Sequence, residues 1–297
     1  MAQVLEQSSP AKVNLWLRIL GKRDDGFHQV ETRLCKVAVA DTVTVEKLAG
    51  AARVDFTCSE PGLPLDDSNL AIKALRAFEA RLGKQQAWRI HLEKRIPAGA
   101  GLGGGSSNAA TVLRSLNALC DDPLQTADLL ELGAAIGSDV PCFLLEASAA
   151  DGTGRGEQVI PAVFPWRLPL VLIKPAFPIP TPWAYQRWAE SEELPGVLYA
   201  PQLCAWGAMV NALERPVFEK YRLLPALKCW LLEQPGVQAA LMSGSGSTMF
   251  AITDTDAQAA ELAVEAQRWC GDTAWVRPTY TLGNASTTSA PVPSSDG

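Results

Sequence analysis

Basic residues are the minority in this chain. Its 297 residues hold 26 Lys and Arg against 32 Asp and Glu, a formal net charge of −6. Nucleic-acid binders carry a basic excess, so no nucleic-acid partner is expected. Any bound anion must be held by local groups, such as backbone N–H donors and a few placed lysines. A C-x-x-C pair is also missing. The seven cysteines, Cys35, Cys58, Cys120, Cys142, Cys204, Cys229 and Cys270, are odd in number and widely spaced. That argues against a zinc site and a disulfide framework and for reduced thiols in a cytoplasmic protein. No apolar run reaches the ~18 residues of a membrane span. Met1–Glu6 lacks the charged-then-apolar layout of a signal peptide, so a cytoplasmic protein with no membrane partner is expected. No internal repeat of 20–50 residues stands out.

What is present is material for a core. Apolar residues make up 47% of the chain and charged residues 20%, and the length suits two domains or one large one. Val13, Leu15, Leu17 and Ile19 alternate with polar residues and predict a half-buried strand, closed by the polar turn Gly21–Gly26. Further strands are expected at Thr42–Lys47, Val54–Cys58 and Ala87–Leu92. Ser68 and Asn69 can cap a helix whose face carries Leu70, Ala74, Leu75, Phe78 and Leu82. Helices are expected over Ser106–Leu119 and Thr126–Ala135. Prolines 161, 165 and 169 bracket a boundary near residue 165. Beyond it the pattern reads strand (Leu170–Ile173), several helices, strands Val237–Met242 and Met249–Ile252, and a helix over Asp256–Arg268. This is an α+β arrangement. It divides into residues 1–164, residues 165–284 and a Ser/Thr/Pro-rich tail, 285–297, expected to be disordered.

The most informative segment is Pro97-Ala98-Gly99-Ala100-Gly101-Leu102-Gly103-Gly104-Gly105-Ser106-Ser107. Five glycines in seven residues are entropically costly unless something must approach the backbone. Successive N–H groups without Cβ atoms can curl round phosphate oxygens, and a following helix adds free donors and the positive end of its dipole. Ser106 and Ser107 can cap that helix, bind phosphate or help hold Mg2+. A Walker loop is excluded because no lysine follows the last glycine. Gly99-x-Gly101-x-x-Gly104 matches the dinucleotide pattern formally. The acidic residue that pattern needs about 20 positions on falls at Asp121-Asp122, in a polar break rather than at a strand end. A plain flexible turn between strand and helix stays open at this point.

With the loop in view, the chain resembles the GHMP kinase superfamily, whose shared loop is Pro-x-x-x-Gly-Leu-Gly followed by small residues and Ser. Ser9-Pro10-Ala11-Lys12-Val13-Asn14-Leu15 is similar to the first motif of that superfamily and Leu241–Phe250 to the third. Asp25-Gly26-Phe27-His28, the extended Gly101–Ala110 loop, Gly137-Ser138-Asp139-Val140-Pro141-Cys142-Phe143 and Pro180-Thr181-Pro182 resemble the branch that acts on a cytidyl diphosphate sugar alcohol in the non-mevalonate isoprenoid route. The likeness spans roughly Ser9 to Ile252. Met249 departs from the Val or Cys common there, Ala98 and Ala100 fall at variable positions, and Tyr185 stands near where some members place Phe. None of these removes a reactive group.

The resemblance implies a two-domain GHMP kinase fold, with an N-terminal ribosomal-protein-S5-like α/β domain and a C-terminal ferredoxin-like α+β domain. It implies transfer of phosphate from ATP, with Mg2+, to a hydroxyl, by a monomer or homodimer. Asp139 would take the hydroxyl proton and Lys12 would act beside it. Asn14, two residues along the same strand face, would hold the substrate or Asp139. Residues Pro97 to Ser107 would bind ATP. Phe27, His28 and Tyr185 would recognise the cytidine, an aromatic pair being able to sandwich the base. Thr181 would contact the sugar alcohol, and Gly244, in the Ser243–Ser247 loop, would close on the acceptor or support the phosphate loop. Two alternatives stay open: another small-molecule GHMP kinase (homoserine or mevalonate kinase), and a non-catalytic ligand sensor on the same fold.

Overall fold

The structure, a computed structural model, describes residues 3–283; the tail expected over 285–297 lies outside the described residues. The chain opens with an unusually long antiparallel hairpin, β1 (Gln3–Lys22) and β2 (His28–Leu48). It continues through β3 (Arg53–Cys58), α1 (Leu70–Leu82), β4 (Ala87–Glu93), α2 (Gly104–Leu119), α3 (Thr126–Ile136), α4 (Val140–Leu144), β5 (Ala149–Thr153) and β6 (Gln158–Ala162). The second half runs β7 (Pro169–Lys174), α5 (Thr181–Arg187), β8 (Gln202–Cys204), β9 (Gly207–Asn211), α6 (Glu214–Lys220), α7 (Leu223–Leu232), β10 (Val237–Met242), β11 (Met249–Thr253), α8 (Asp256–Cys270) and β12 (Trp275–Tyr280).

Two sheets result. The first has the order β3-β4-β2-β1-β9-β8, with β5 and β6 attached to β2, and the second has the order β10-β11-β7-β12. The architecture is α+β, as the order of elements implied. A core of Ala11, Val13, Leu15, Cys35 and Val37 from the first sheet meets Leu170, Leu172, Leu241, Phe250 and Ile252 from the second. Helices α1 and α2 bury Leu75, Phe78, Val112 and Leu116 against Val43, Val45, Ile90 and Leu92. Helices α7 and α8 bury Leu227, Leu231, Ala259 and Leu262 against Val171, Ile173 and Ala251. Each layer therefore removes apolar surface from water on a sheet face, the main favourable term in folding.

Sequence periodicity finds the short, regular elements and underestimates the hairpin. Asn69 caps α1, its side chain accepting from the Ala71 N–H at 3.0 Å, and β10 has the expected bounds. By contrast β1 is 20 residues long, where alternation marks only Val13–Ile19. Register shifts at Pro10/Ala11, Asn14/Trp16 and Ile19/Gly21 break the period of two. Ser9, Lys12 and Asn14 are buried on β1 among apolar neighbours, so hydropathy does not separate its inner face from its outer one.

One buried cation lies away from the site. Lys36 on β2 is buried and its Nζ donates to the Leu145 carbonyl at 2.6 Å. Burial pulls its pKa from the ordinary 10.5 down to about 8; the Cys142 thiol and Glu146 oppose the drop, and Arg114 adds to it. Below pH 8 the folded and unfolded chains both hold the proton. Between about pH 8 and 10.5 only the unfolded chain does, so stability rises with pH across that window, by up to about 3 kcal/mol. Urea midpoints measured at pH 7.5 and 10 are expected to show this component in the wild type and to lack it in Lys36→Met. Equal pH slopes in the two proteins would contradict the assignment.

Candidate active site

The glycine-rich loop joins β4 to α2 and is held from behind. Its three central carbonyls are all engaged: Ala100 accepts from the Thr248 N–H at 3.2 Å, Gly101 from the Ser243 hydroxyl at 2.9 Å, and Leu102 from the Lys12 N–H at 2.9 Å. In a trans peptide the N–H points opposite to the C=O. The amides of Gly101, Leu102 and Gly103 therefore point away from the groups that hold those carbonyls. The first turn of α2 adds the N–H groups of Gly104, Gly105 and Ser106, which have no acceptor within the helix. Six amides thus gather around one short stretch of chain, at the positive end of a 16-residue helix.

The glycines also serve packing, a reason that composition does not reveal. Gly101 has φ 74° and Gly103, the residue capping α2, has φ 70°. A Cβ on Gly101 would collide with the Ser243 carbonyl oxygen, and one on Gly103 would lie 3.0 Å from the Phe143 ring and 3.1 Å from Lys12 Cγ. The α2 helix begins at Gly104, two residues before the Ser106 start expected from sequence.

A buried polar network sets the entry to the loop. Asp41 accepts from the Arg95 and Ile96 N–H groups at 2.7 and 2.8 Å and pairs with Lys94. Asn108 donates to Asp41 at 3.0 Å and to the Ser9 hydroxyl at 2.9 Å, and Ser9 donates to the Ser107 hydroxyl at 2.8 Å. Ser107 is fully buried in this network and its N–H is bonded to the Gly103 carbonyl. Of the eleven loop residues named from sequence, it supports the cleft from behind, whereas Pro97 to Ser106 all line it.

Two lobes meet at the loop. One, of about 460 Å³, is walled by Pro97, Ala98, Gly99, Ala100, Leu102, Gly104 and Gly105 together with Pro64, Asn69, Leu70, Lys94 and Ile96. The other, of about 520 Å³, is walled by Lys12, Asn14, Phe27, His28, Asp139, Arg155, Tyr185 and Gly244. Gly101, Gly103, Ser106 and Thr181 line both.

Near this junction stands an ion pair. Lys12 Nζ lies 3.4 Å from Asp139 Oδ2 and donates to Asn14 Oδ1 at 2.7 Å. Asn14 in turn donates to the Thr32 hydroxyl at 2.8 Å, and Thr32 to the Trp16 carbonyl at 2.7 Å. The Lys12 side chain is 4% exposed and that of Asp139 34%, so the ammonium is fixed while the carboxylate faces the cleft. Asp139 occupies the residue before α4, and its side chain makes no capping bond. A Cβ on Gly244 would come within 3.3 Å of Lys12 Nζ, which brings the second glycine loop directly onto the pair. That loop is anchored by Asn211, which donates to the Met242 and Gly244 carbonyls at 2.7 Å each. The buried Glu214, paired with Lys228 at 2.6 Å, accepts from the Met242 N–H at 2.8 Å.

The outer end of the second lobe is aromatic. The rings of His28 and Tyr185 lie 5.5 Å apart, with Trp188 edge-on to His28 at 6.0 Å. Burial, and then Lys22, lower the His28 pKa from its ordinary 6.5. Burial, and then the charge on Asp139, raise that of Tyr185. Phe27 is 52% exposed and carries the Arg155 guanidinium 4.8 Å above its ring. Thr181 is hydrogen-bonded to the Ser245 hydroxyl at 2.7 Å. The structure thus brings Asn14, Phe27, His28, Thr181, Tyr185 and Gly244 to one cleft with Lys12 and Asp139. Sequence reasoning missed Thr32, Lys94, Asn108, Arg155 and Asn211. Only Arg155, a cation between Gly154 and Gly156, carried a local signal.

Comparison with known proteins agrees with this geometry. The profile of the GHMP kinases N terminal domain matches residues 69–147 and that of the GHMP kinases C terminal domain residues 200–272. A solved 4-(cytidine 5'-diphospho)-2C-methyl-D-erythritol kinase superposes with a TM-score of 0.78 at 33% identity, covering 94% of this chain and all (100%) of that one. A homoserine kinase from Cytophaga hutchinsonii shares the fold, with a TM-score of 0.63 at 18% identity over 94% of this chain and 95% of its own. Fold and site together define a GHMP kinase, and the chain belongs to that family. Within it the chain groups with the 4-diphosphocytidyl-2-C-methyl-D-erythritol kinases. The protein of that name from Methylacidiphilum infernorum is 40% identical over 91% of this chain and 94% of its own length, and the chloroplastic one from Arabidopsis thaliana 37% identical over 85% and 68%.

The seam between the two glycine loops is testable. Gly101→Ala meets backbone on the facing loop and needs a left-handed φ, whereas Gly26→Ala meets only open space at φ 86°. Gly26→Ala is expected to lower stability by about 1 kcal/mol. Gly101→Ala is expected to lower it by roughly 2 kcal/mol or more and to raise KM for the nucleotide. Urea denaturation and initial-rate kinetics check both, and equal effects would contradict the packing argument.

Proposed function

We propose that this chain transfers the γ-phosphoryl group of ATP to the 2-hydroxyl of 4-diphosphocytidyl-2-C-methyl-D-erythritol, giving the 2-phosphate of the non-mevalonate isoprenoid route. The observation that carries the chemistry is the Lys12–Asp139 pair near the junction of the two lobes, beside a loop of inward-held carbonyls. The nucleotide occupies the lobe lined by Pro97 to Ser106, with its phosphates along the amides. The acceptor occupies the lobe of Phe27, His28 and Tyr185. Its hydroxyl meets the γ-phosphate near Lys12.

Phosphoryl transfer asks the protein for alignment and charge stabilisation more than for covalent chemistry. Asp139, facing the cleft, accepts the proton of the attacking hydroxyl. Lys12 has one N–H donor beyond those directed at Asn14 and Asp139, and that donor meets the charge developing on the transferred group. Asn14, itself held by Thr32, keeps the ammonium aimed. Among the described residues no group of three His, Cys, Asp or Glu forms a metal cage. This fits Mg2+, which takes most of its ligands from phosphates and water. The Ser106 hydroxyl is the side chain that would hold it, and the ion would neutralise phosphate charge when bound.

Among the described residues no helix is long and apolar enough to cross a membrane. We read the protein as cytoplasmic. We also read it as a monomer or a homodimer.

An ADP-release assay with ATP and a panel of alcohols tests the assignment. Turnover is expected with the cytidyl diphosphate substrate and not with homoserine or mevalonate; the reverse pattern would overturn it. In the same assay Asp139→Asn is expected to lower kcat by about 10²–10⁴-fold, the usual range for a general base. An unchanged rate would require a different proton acceptor.

A further inference from the structure

The acceptor proposed above carries a diphosphate in the middle of the molecule, and that charge needs a partner in its lobe. The cations lining the lobe among the described residues are Lys12, Arg155 and, when protonated, His28. Lys12 is engaged by Asn14 and Asp139, and its third N–H is the donor given above to the transferred phosphoryl group. The lowered pKa of His28 leaves it neutral near pH 7, and Lys22, whose charge reaches His28, does not line the lobe. Arg155 remains.

Its placement is specific. Arg155 sits on the turn between β5 and β6, flanked by Gly154 at φ 71° and Gly156 at φ 106°. Glu157 folds back on this turn, accepting from the Arg155 N–H at 2.6 Å, while its other oxygen stays 3.8 Å from the guanidinium. A Cβ on Gly156 would come within 4.0 Å of Ser138 and of Val30, so the turn rests against the segment that carries Asp139. The guanidinium lies over the Phe27 ring. That contact holds the guanidinium over the ring while Glu157 flanks its Nε, and the two terminal nitrogens are the ones that can bind phosphate bidentately.

We infer that Arg155 is a specificity-determining residue that binds the diphosphate of the acceptor, held over the Phe27 ring for that task. This rests on the substrate reading given above. Arg155 thereby separates the acceptor's two halves, with the base beyond it among His28 and Tyr185 and the reacting hydroxyl inward at Asp139. A kinase whose acceptor lacks a diphosphate has no use for this cation.

The test compares binding of CDP and cytidine to the full-length protein by isothermal titration, in the wild type, Arg155→Gln and Arg155→Lys. The wild type is expected to bind CDP more tightly than cytidine. Arg155→Gln is expected to weaken CDP binding by roughly 10- to 100-fold, the span for a hydrogen bond to a charged group, and cytidine binding by less than about 2-fold. Arg155→Lys should fall between. In steady-state kinetics the loss should appear in KM for the acceptor and not in KM for ATP. An equal loss for CDP and cytidine, or no loss for either, overturns the inference and leaves the substrate reading standing. A wild-type protein that does not bind CDP overturns both. Circular dichroism of the variants separates these outcomes from unfolding, and Arg155→Lys keeps the charge should the glutamine variant fail to fold.

Discussion

The site depends on where three carbonyls are tied. Ala100, Gly101 and Leu102 each give their oxygen to a donor from elsewhere in the fold: Thr248 and Ser243 from the loop between β10 and β11, and Lys12 from β1. A loop with free carbonyls would present acceptors and donors alike, and an anion would meet as much repulsion as attraction. Tying the carbonyls turns the loop into a one-sided array of donors. The chain has a net charge of −6, so this oriented backbone does what a basic surface would do in another protein.

The same ties bring the reacting groups together. Lys12 holds Leu102 through its backbone and Asp139 through its side chain, so the residue that helps orient the phosphate loop also fixes the acid beside it. Burying a lysine, an asparagine and a threonine on long strands carries a desolvation penalty unless each is paired. Here they form a closed relay from Asp139 to the Trp16 carbonyl. A satisfied network of this kind is rigid, and rigidity is what alignment for in-line transfer requires.

Much of this is legible in the sequence. The alternation of Val13 to Ile19, the cap at Asn69 and the bounds of β10 follow from local rules. The glycine-rich segment announces an anion site through its composition, and the three ordered motifs identify the family. The remainder was hidden for physical reasons. Bulges and buried polar residues erase the period of two along most of β1 and β2. Asp41, Lys94 and Asn108 lie far apart in sequence and gain meaning only when folding brings them together. Ser107 reads from sequence as a helix-start hydroxyl facing a ligand, but α2 begins two residues earlier and turns that side chain inward to Ser9. Asn211 falls in a stretch read from sequence only as several helices, yet it ends β9 and its amide holds two carbonyls of the second glycine loop.

Strand β9 ties the halves of the molecule in a way a linear reading divides. It comes from the second half of the chain, yet it runs parallel to β1, with Trp16 beside Val210 and Leu17 beside Asn211. Its last residue then reaches across to the second sheet. A fragment cut near residue 165 would bare that flank of β1, an open row of amide and carbonyl groups of the kind that recruits other chains into aggregates. Proteolytic nicking or gene-splitting at the apparent boundary would thus yield two sticky pieces rather than two independent modules, and complementation would require them to meet before either precipitates.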